Sequence, residues 1–290
     1  MPFSLGQPML IPKDSGVPFG TYSDEELKKI SRDLTETERN NPHSKYYDQM
    51  PAPLAEEHIA AIKGAPMDSG KAFEFEDYGK MMNRKGYCEV ENGYCVLGSG
   101  VTYAAAMLRQ KDLTDEVVEF YNQNFAFGDS LFYKIWNPEC HYLHYTDGCL
   151  ENFGFGRMNM RFTASVEPED LGLNMDEIRK NDPDCIYIGG TSAAGYNLDG
   201  DGPGELERNT ILFYYRKTDY GREARIRLFY GIGIEDGNIC FTIPKKVEAL
   251  NIAHKTMQHI MQEYTNDRYL ETAFWKDMHP VRSTTIRTGG

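Results

Sequence analysis

One long segment near the C-terminus constrains the fold more than any other feature of the sequence. Residues 245–274 contain neither glycine nor proline, and their side chains form two stripes at helical spacing. We therefore predict a helix of about seven turns. The first stripe consists of Leu250, Met257, Met261 and Tyr264, and the second of Ile252, Thr256, His259, Glu263 and Leu270. Because one sheet can cover only one stripe directly, we expect the N-terminal region to cover the second.

The segments that precede this helix have the patterns of short β-strands. Strand-like segments are "MNMRFTASV", "TILFYYR", "REARIRLFYG" and "NICFTI", and the second and third should pair around "KTDYG". The segment "YCEVENGYCVLGSGVTYAAAML" predicts short strands around an Asn-Gly turn. Antiparallel strands followed by one long helix predict an α+β fold, in which a curved sheet grips the helix and leaves a cavity between them.

Helical signals dominate the first part of the chain. Ser23 with Glu26 forms a capping-box pattern, and "LAEEHIAAIKG" predicts a short helix that ends at Gly64. Further along, Thr114 is the expected N-cap of a helix in "LTDEVVEFYNQNFAF". We interpret residues 1–85 as an N-terminal helical region and residues 86–290 as the domain that contains the sheet and the long helix.

Composition restricts the classes of partner. The 290-residue chain has a formal net charge of −13 and 19 tyrosines. Such an acidic chain does not bind nucleic acid or an anionic membrane surface through bulk charge. The sequence lacks an apolar run of transmembrane length and a signal-peptide pattern, so we expect a cytoplasmic protein. The six cysteines form no CxxC pair and are expected to be reduced.

Two groups of residues have the chemistry of metal ligands. His259 and Glu263 lie four residues apart, so a helix would place both side chains on one face. His141, His144 and Glu151 lie in the second group, within "LFYKIWNPECHYLHYTDGCLENFGFG". A metal site of this type needs three or four ligands from different elements. The alternatives are an exposed His–Glu pair and a surface turn with solvated histidines.

An ordered set of motifs resembles a known enzyme family. The motifs are "GYCVLGSGVTYAAAML", "LTDEVVEFYNQNFAFGDSLFYKIWNPECHY", "LENFGFGRMNMRFTASVEPEDLGL", "RKTDYGREARIRLFYG" and the His-x-x-x-Glu helix. Together they cover about residues 70–275 in the same order as in the 2,4-diacetylphloroglucinol hydrolase and phloretin hydrolase family, which this chain resembles.

The resemblance implies a fold and a metal site. The implied fold is a helix-grip fold similar to Bet v 1 and START domains, with an additional N-terminal helical part. The implied cofactor is Zn²⁺, with Mn²⁺ or Fe²⁺ as chemically acceptable substitutes. Carried over to this sequence, the implied ligands are His141, Glu151, His259 and Glu263, with Glu167 as the alternative to Glu151.

The family reaction is hydrolysis of the carbon–carbon bond between a phenolic ring and an acyl carbonyl. The resemblance therefore implies a phenolic ketone such as phloretin or an acylphloroglucinol as substrate, and it suggests a homodimer. Tyr133, His144 and Glu151 are the implied catalytic residues. Tyr133 and His144, together with Tyr215 and Tyr230, are the candidate contacts of the substrate. The alternative for each tyrosine is packing in the core.

One departure from the family leaves the reaction open. The family has a catalytic histidine on the strand that matches "TILFYYR", whereas this chain has no histidine between His144 and His254. Tyr215 or His144 would have to substitute for it. Two other readings therefore stay open: a metal-dependent hydrolase or lyase acting on another aromatic ketone, and a binding protein that holds an aromatic compound without turnover.

Overall fold

The structure is a computed structural model of the chain. It describes residues 32–49, 51–124, 130–145, 148–153, 156–197 and 206–279. The capping-box pattern at Ser23 and Glu26 lies outside these residues.

In the described residues, three short helices precede the first strand, and the longest helix follows the last strand. The helices are α1 (Glu36–Arg39), α2 (Glu56–Lys63), α3 (Tyr78–Met82), α4 (Asp115–Asn124), α5 (Ser130–Trp136), α6 (Met175–Asn181) and α7 (Lys246–Met278). The strands are β1 (Gly93–Val96), β2 (Thr102–Lys111), β3 (His141–Tyr145), β4 (Gly148–Asn152), β5 (Arg157–Val166), β6 (Cys185–Asn197), β7 (Leu206–Thr218), β8 (Gly221–Tyr230), β9 (Ile232–Glu235) and β10 (Asn238–Phe241). Short 3-10 helices span Pro42–Tyr46, Ser69–Lys71, Phe75–Asp77 and Pro168–Leu171.

The strands form one eight-stranded antiparallel sheet and a separate hairpin. The order in the sheet is β1-β2-β8-β7-β6-β5-β4-β3, and β9 pairs with β10. The predicted pairing of "TILFYYR" with "REARIRLFYG" is confirmed as the antiparallel pair β7–β8. The helix expected to end at Gly64 and the helix capped by Thr114 are also confirmed; the Thr114 hydroxyl accepts a hydrogen bond from the Val117 amide.

The predicted Asn-Gly turn is wrong. Strand β1 begins at Gly93, and the β1–β2 turn lies at residues 97–101, where the Leu97 amide donates to the Val101 carbonyl. The Asn92 side chain instead accepts a hydrogen bond of 2.8 Å from the Met107 amide on β2. This long-range hydrogen bond, which the local pattern cannot reveal, holds Asn92 beside the sheet instead of in a turn.

Helix α7 packs against one face of the sheet. Small side chains on this face, including Ala104, Ala106 and Ala224, are fully buried and leave room below the helix. The predicted α+β architecture, with a large antiparallel sheet and a long C-terminal helix, is confirmed. Its assignment to the helix-grip class remains a prediction.

The helix is longer than the sequence pattern predicts, with 33 residues. Its second stripe is buried throughout, and Met257, Met261 and Tyr264 of the first stripe are buried as well. Leu250 is 42% exposed, contrary to its assignment to the first stripe, because the first turn of α7 lies outside the covered part of the helix, as the exposed Val247 indicates.

The segment before the sheet covers α7 on its second side. The Ile62 carbonyl of α2 accepts a hydrogen bond of 2.7 Å from His254. Further along, the Ala52 amide donates to the Asn266 side chain at 3.1 Å. N-terminal residues therefore contact α7, but these contacts do not test whether they cover the second stripe, of which His259 lies instead beside His141 and Glu151 of the sheet.

The opposite face of the sheet is also buried. Phe73, Phe75, Tyr78 and Met82 pack on it together with side chains of the sheet. Glu91, in the same covering segment, forms buried ion pairs with two arginines of β8, Arg225 and Arg227. Because the two guanidinium groups lie inside the protein, this carboxylate neutralises charge that water cannot reach.

Two further observations concern the chain as a whole. Among the described residues, no helix combines the length and the apolar character needed to cross a membrane. All six cysteines are unpaired.

Candidate metal centre

The strand register and the long helix bring the predicted ligands together. His141 begins β3, and the antiparallel pairing places it directly opposite Glu151 of β4. His259 and Glu263 face this hairpin from α7, one helical turn apart. All four side chains are buried.

Three of the four side chains have the separation of metal ligands. One ligand-type atom from each of His141, Glu151 and His259 lies within 4.8 Å of the others. The His141 Nε2 atom is 3.6 Å from Glu151 Oε2. Glu263 does not belong to this group of three, but its Oε2 atom lies 2.9 Å from His259 Nε2. The fourth predicted ligand is therefore adjacent to the cluster through His259.

His141 is held with one nitrogen directed at the cluster. Its Nδ1 atom lies 2.8 Å from the Tyr133 carbonyl and must donate to it, so that Nε2 carries the lone pair. Nε2 is buried and has no hydrogen-bond partner among the described residues. Burial, and next the charge of His259, hold the pKa of His141 well below its ordinary value. A neutral imidazole with an unsatisfied buried nitrogen is the state that binds a metal ion.

The charges in the cluster depend on each other. Burial raises the pKa of Glu151, although the charge of His259 opposes this. Burial alone would lower the pKa of His259, but Glu263, a hydrogen bond with Cys140 and the charge of Glu151 raise it well above its ordinary value. A divalent cation would neutralise the same carboxylates. The donor set of two imidazoles and two carboxylates fits Zn²⁺ and also Mn²⁺ or Fe²⁺.

Tyr133 connects helix α5 to this cluster through three contacts. Its hydroxyl donates to Glu151 Oε2 at 2.8 Å. Its ring stacks on the His141 ring with centroids 3.8 Å apart and planes at 1°. Its carbonyl accepts the His141 hydrogen bond described above. Burial, the largest influence, and Glu151 raise the pKa of Tyr133 well above its ordinary value, so the hydroxyl keeps its proton.

Two aromatic residues support the cluster and were not assigned from the sequence. Trp136 Nε1 donates to the Glu263 carbonyl at 3.2 Å and so joins α5 to α7. The Phe153 ring packs against the His259 ring at 4.8 Å. Trp136 lies in the segment "LFYKIWNPECHY" that carries the family resemblance, whereas Phe153 has no pattern that distinguishes it from other core aromatic residues.

His144 lies beside the cluster. Its ring centroid is 5.2 Å from that of Tyr133, and its buried Nδ1 atom has no hydrogen-bond partner within the described part of the chain. Burial lowers the pKa of His144 to about 4. The imidazole is therefore neutral near pH 7 and can accept or donate one hydrogen bond toward a ligand.

The strand that would carry the family histidine presents aromatic rings to the side of the sheet that packs against α7. Phe213 and Tyr215 pack with the core below α7, and their rings stack at 5.7 Å. Tyr214 lies on the opposite face, where its hydroxyl donates to Asp182 at 2.8 Å. Tyr215 is therefore the tyrosine of this pair that faces α7. Tyr230, at the end of β8, faces the same side and lies 6.1 Å from Phe153.

Glu167, the alternative to Glu151, is elsewhere. It is exposed beyond the end of β5, where it caps the 3-10 helix Pro168–Leu171. Gly172 ends that helix with a φ of 66°, which explains the glycine of the "P-x-x-L-G" motif. The structure thus places Glu151, and not Glu167, opposite His141.

Comparison with known proteins connects this site to a class of hydrolases. Residues 73–148 match the family model described as the DAPG hydrolase PhiG domain. The resemblance to the 2,4-diacetylphloroglucinol hydrolase and phloretin hydrolase family, predicted from the motifs, is thereby confirmed. Phloretin hydrolase from Eubacterium ramulus is 29% identical over 109 residues, which cover 38% of this chain and 40% of that protein.

The match covers only part of the site. The aligned residues span about two fifths of the length of phloretin hydrolase. The residues matched by the family model include Tyr133 and His141 but end before Glu151, His259 and Glu263. The geometry of the cluster therefore provides evidence on these three residues that the family match does not.

Proposed function

We propose that this protein is a metal-dependent hydrolase that cleaves the carbon–carbon bond between a polyhydroxylated aromatic ring and an acyl carbonyl. The observation that carries the proposal is the buried convergence of His141, Glu151 and His259, with the His141 Nε2 atom left without a hydrogen bond. The family resemblance supplies the substrate class. Because a similar protein is named phloretin hydrolase, a phloretin-like ketone is the first candidate substrate.

The proposed ligands are His141, Glu151, His259 and Glu263. When bound there, Zn²⁺, or Mn²⁺ or Fe²⁺ in its place, would supply a Lewis acid that polarises a ketone oxygen or acidifies a water molecule. The Tyr133 carbonyl and hydroxyl orient His141 and Glu151, as hydrogen bonds to metal ligands do in metal sites.

The reaction adds the elements of water across the cleaved bond. The ring carbon gains a proton, and the acyl carbon gains a hydroxyl group, so the products are a phenol and a carboxylic acid. The Tyr133 hydroxyl donates to Glu151, and the His144 ring lies 5.2 Å from the Tyr133 ring, so these three side chains form a connected series of groups that can carry a proton. We assign Tyr133, His144 and Glu151 to proton transfer, since a transferring group must be within hydrogen-bond reach of the reacting atoms.

The cavity below α7 would bind the aromatic ring. Tyr215 and Tyr230 lie on its sheet side and offer hydroxyl groups to ring substituents. The enclosed apolar surface of alanines, methionines and aromatic rings favours a flat, largely apolar ligand with a few polar groups. The helix-grip class, a cytoplasmic location and a homodimer belong to the same proposal and await their own tests.

A second candidate is kept because of one feature. Phe213 and Tyr215 occupy the cavity face of β7, where the family has its catalytic histidine. The metal centre could therefore serve another aromatic ketone, or the cavity could bind an aromatic compound without turnover. Release of a carboxylic acid from a phenolic ketone distinguishes the first proposal from both alternatives.

The test measures metal content and acid release on the same preparation. Protein purified without chelator should contain about one divalent ion per chain by elemental analysis. It should release a carboxylic acid from phloretin or from diacetylphloroglucinol, and removal of the ion should abolish the release. Metal-loaded protein that hydrolyses no hydroxylated ketone would favour the binding protein, and protein without any bound metal would refute the metal centre.

A further inference from the structure

A second group of polar side chains is buried along α7 beyond the metal centre. Asp267 and Glu271 follow Glu263 at intervals of four residues, so the three carboxylates lie along one face of the helix. Asp267 is 8% exposed and Glu271 is 4% exposed. Tyr121 of α4 donates a hydrogen bond to Asp267, and the charge of Arg222 acts on Glu271.

These carboxylates contain acceptor atoms that the protein does not satisfy. Asp267 Oδ1 and Glu271 Oε2 are both buried and have no hydrogen-bond partner in the described part of the chain. Buried polar atoms in folded proteins are nearly always hydrogen-bonded, because an unsatisfied one costs free energy. Groups with donors, from water or from a ligand, must therefore approach these two oxygens.

A third unsatisfied acceptor comes from the sheet. Gln110 is 3% exposed, and its Oε1 atom has no hydrogen-bond partner among the described residues. Strand alternation places Gln110 on the same face as Leu108, which packs below α7. Arg268 donates to the carbonyl of Lys111 at 2.6 Å, so this end of β2 lies against the turn of α7 that contains Asp267.

The position of this group relative to the metal centre suits an acylated phenol. One helical turn, about 6 Å, separates Glu263 from Asp267. That length is comparable to the distance from the carbonyl carbon of an acylated phenol to its para-hydroxyl oxygen. Tyr215 lies between the sheet and this part of the helix. Burial is the largest cause that raises the pKa of its hydroxyl, and the charges of Asp267 and Glu271 raise it further. A ring bound at the metal centre through its acyl group would thus extend toward these acceptors.

We propose that Asp267, Glu271 and Gln110 form a subsite that accepts hydrogen bonds from the ring hydroxyl remote from the acyl group. Tyr121 donates to Asp267, and the charges of Arg222 and Arg268 act on Glu271. One oxygen of each of the three side chains still has no partner among the described residues, so the complementary ligand carries hydroxyl donors and not a carboxylate or phosphate. This inference rests on the proposed function for the identity of the ring. It assigns substrate recognition to a part of α7 outside the metal centre.

The decisive experiment compares two ligands that differ by one hydroxyl. The probes are 2,4,6-trihydroxyacetophenone and 2,6-dihydroxyacetophenone, which lacks the para-hydroxyl, and binding is measured by calorimetry on the protein as purified. The wild type should bind the trihydroxy compound about three- to tenfold more tightly, the range for a hydrogen bond between neutral groups, because burial raises the pKa of both carboxyl groups. Glu271→Met should reduce this ratio, because it removes one of the three acceptors.

The control is the same substitution on the exposed start of the helix, Glu248→Met, which should keep the wild-type ratio. If Glu271→Met does not fold, the double variant Asp267→Leu with Tyr121→Phe tests the same subsite and leaves the tyrosine without an orphaned hydroxyl. A ratio unchanged by these substitutions, or a wild type that does not distinguish the probes, would overturn the inference and leave the acceptors to water.

The outcome can be separated from that of the proposed function. Hydroxyl-dependent binding without acid release by the wild type would support the subsite and refute the hydrolase. Acid release with no dependence of binding on the para-hydroxyl would support the hydrolase and refute the subsite.

Discussion

Replacement of Tyr133 by Phe separates two roles that this residue could have at the metal centre. The change removes one hydroxyl but keeps the ring that stacks on His141 and the carbonyl that accepts its Nδ1 hydrogen bond. The hydroxyl donates to Glu151 Oε2 at 2.8 Å inside the protein. If Tyr133 acts by orienting Glu151, its loss should weaken metal binding and not only catalysis.

The size of the effect follows from the hydrogen bond that is lost. A hydrogen bond to an ionised group contributes about 1.5–3 kcal/mol, which corresponds to a factor of about 10–150. Loss of a residue that hydrogen-bonds to a metal ligand costs about 10–100-fold in metal affinity or activity. We therefore expect the metal dissociation constant of Tyr133→Phe to rise about 10–100-fold. Competition with a chromophoric chelator measures this directly.

The chain provides a closely matched control for this change. Tyr214 also donates its hydroxyl to a carboxylate, Asp182, at 2.8 Å, but it lies on the opposite face of the sheet. Tyr214→Phe should leave metal affinity unchanged. Metal affinity of Tyr133→Phe within about twofold of the wild type would refute the orienting role, because the structural estimate is at least tenfold. Loss of acid release at unchanged metal affinity would instead assign Tyr133 to the substrate.

Three further changes test other parts of the structure. His259→Ala and Glu263→Ala should each abolish metal binding together with acid release, whereas His254→Ala on the same helix should keep the metal; full occupancy in both site variants would make the pair structural. Because burial lowers the pKa of His144 to about 4, the unfolded chain binds a proton that the folded chain does not between pH 6.5 and 4. The free energy of unfolding should therefore fall over this interval by up to about 3 kcal/mol, and His144→Gln should show a smaller fall in denaturant titrations. Glu91→Gln leaves buried arginine charges uncompensated and should lower the free energy of unfolding by about 3–5 kcal/mol, and a change below about 1 kcal/mol would show that the ion pairs contribute little.

The elements of this fold with regular patterns could be predicted from the sequence. The length without glycine or proline identified α7, and two strand-like segments on either side of "KTDYG" identified β7 and β8 as a pair. Leu250 and the Asn-Gly turn were assigned wrongly because their positions depend on distant elements. The end of the covered surface exposes Leu250, and the Met107 amide binds Asn92. Local patterns carry no information on either contact.

The residues of the candidate metal centre could be predicted from the sequence, but the strand register that brings them together could not. Helical spacing placed His259 with Glu263, and the family resemblance supplied His141 and Glu151. Their proximity depends on the register of the β3–β4 hairpin, in which His141 faces Glu151. A shift of one residue in that register would turn Glu151 to the opposite face of the sheet. The register, and with it the site, became visible only in the folded structure.

The buried acids of α7 explain why the sequence underestimated the functional part of the helix. Acidic residues are mostly exposed in folded proteins, so Asp267 and Glu271 had the pattern of a solvated helix face. The structure buries them in line with Glu263. Burial is the largest cause that raises the pKa of Asp267 and Glu271. The charge of the preceding carboxylate in the row raises each pKa further. Burial of these carboxyl groups lowers the stability of the fold. A cation at the candidate metal centre and a hydroxyl group at the proposed subsite would offset this cost. The proposed cation site and the proposed hydroxyl subsite would thus lie on a single helix face, which is the combination that binding of a hydroxylated aryl ketone would require.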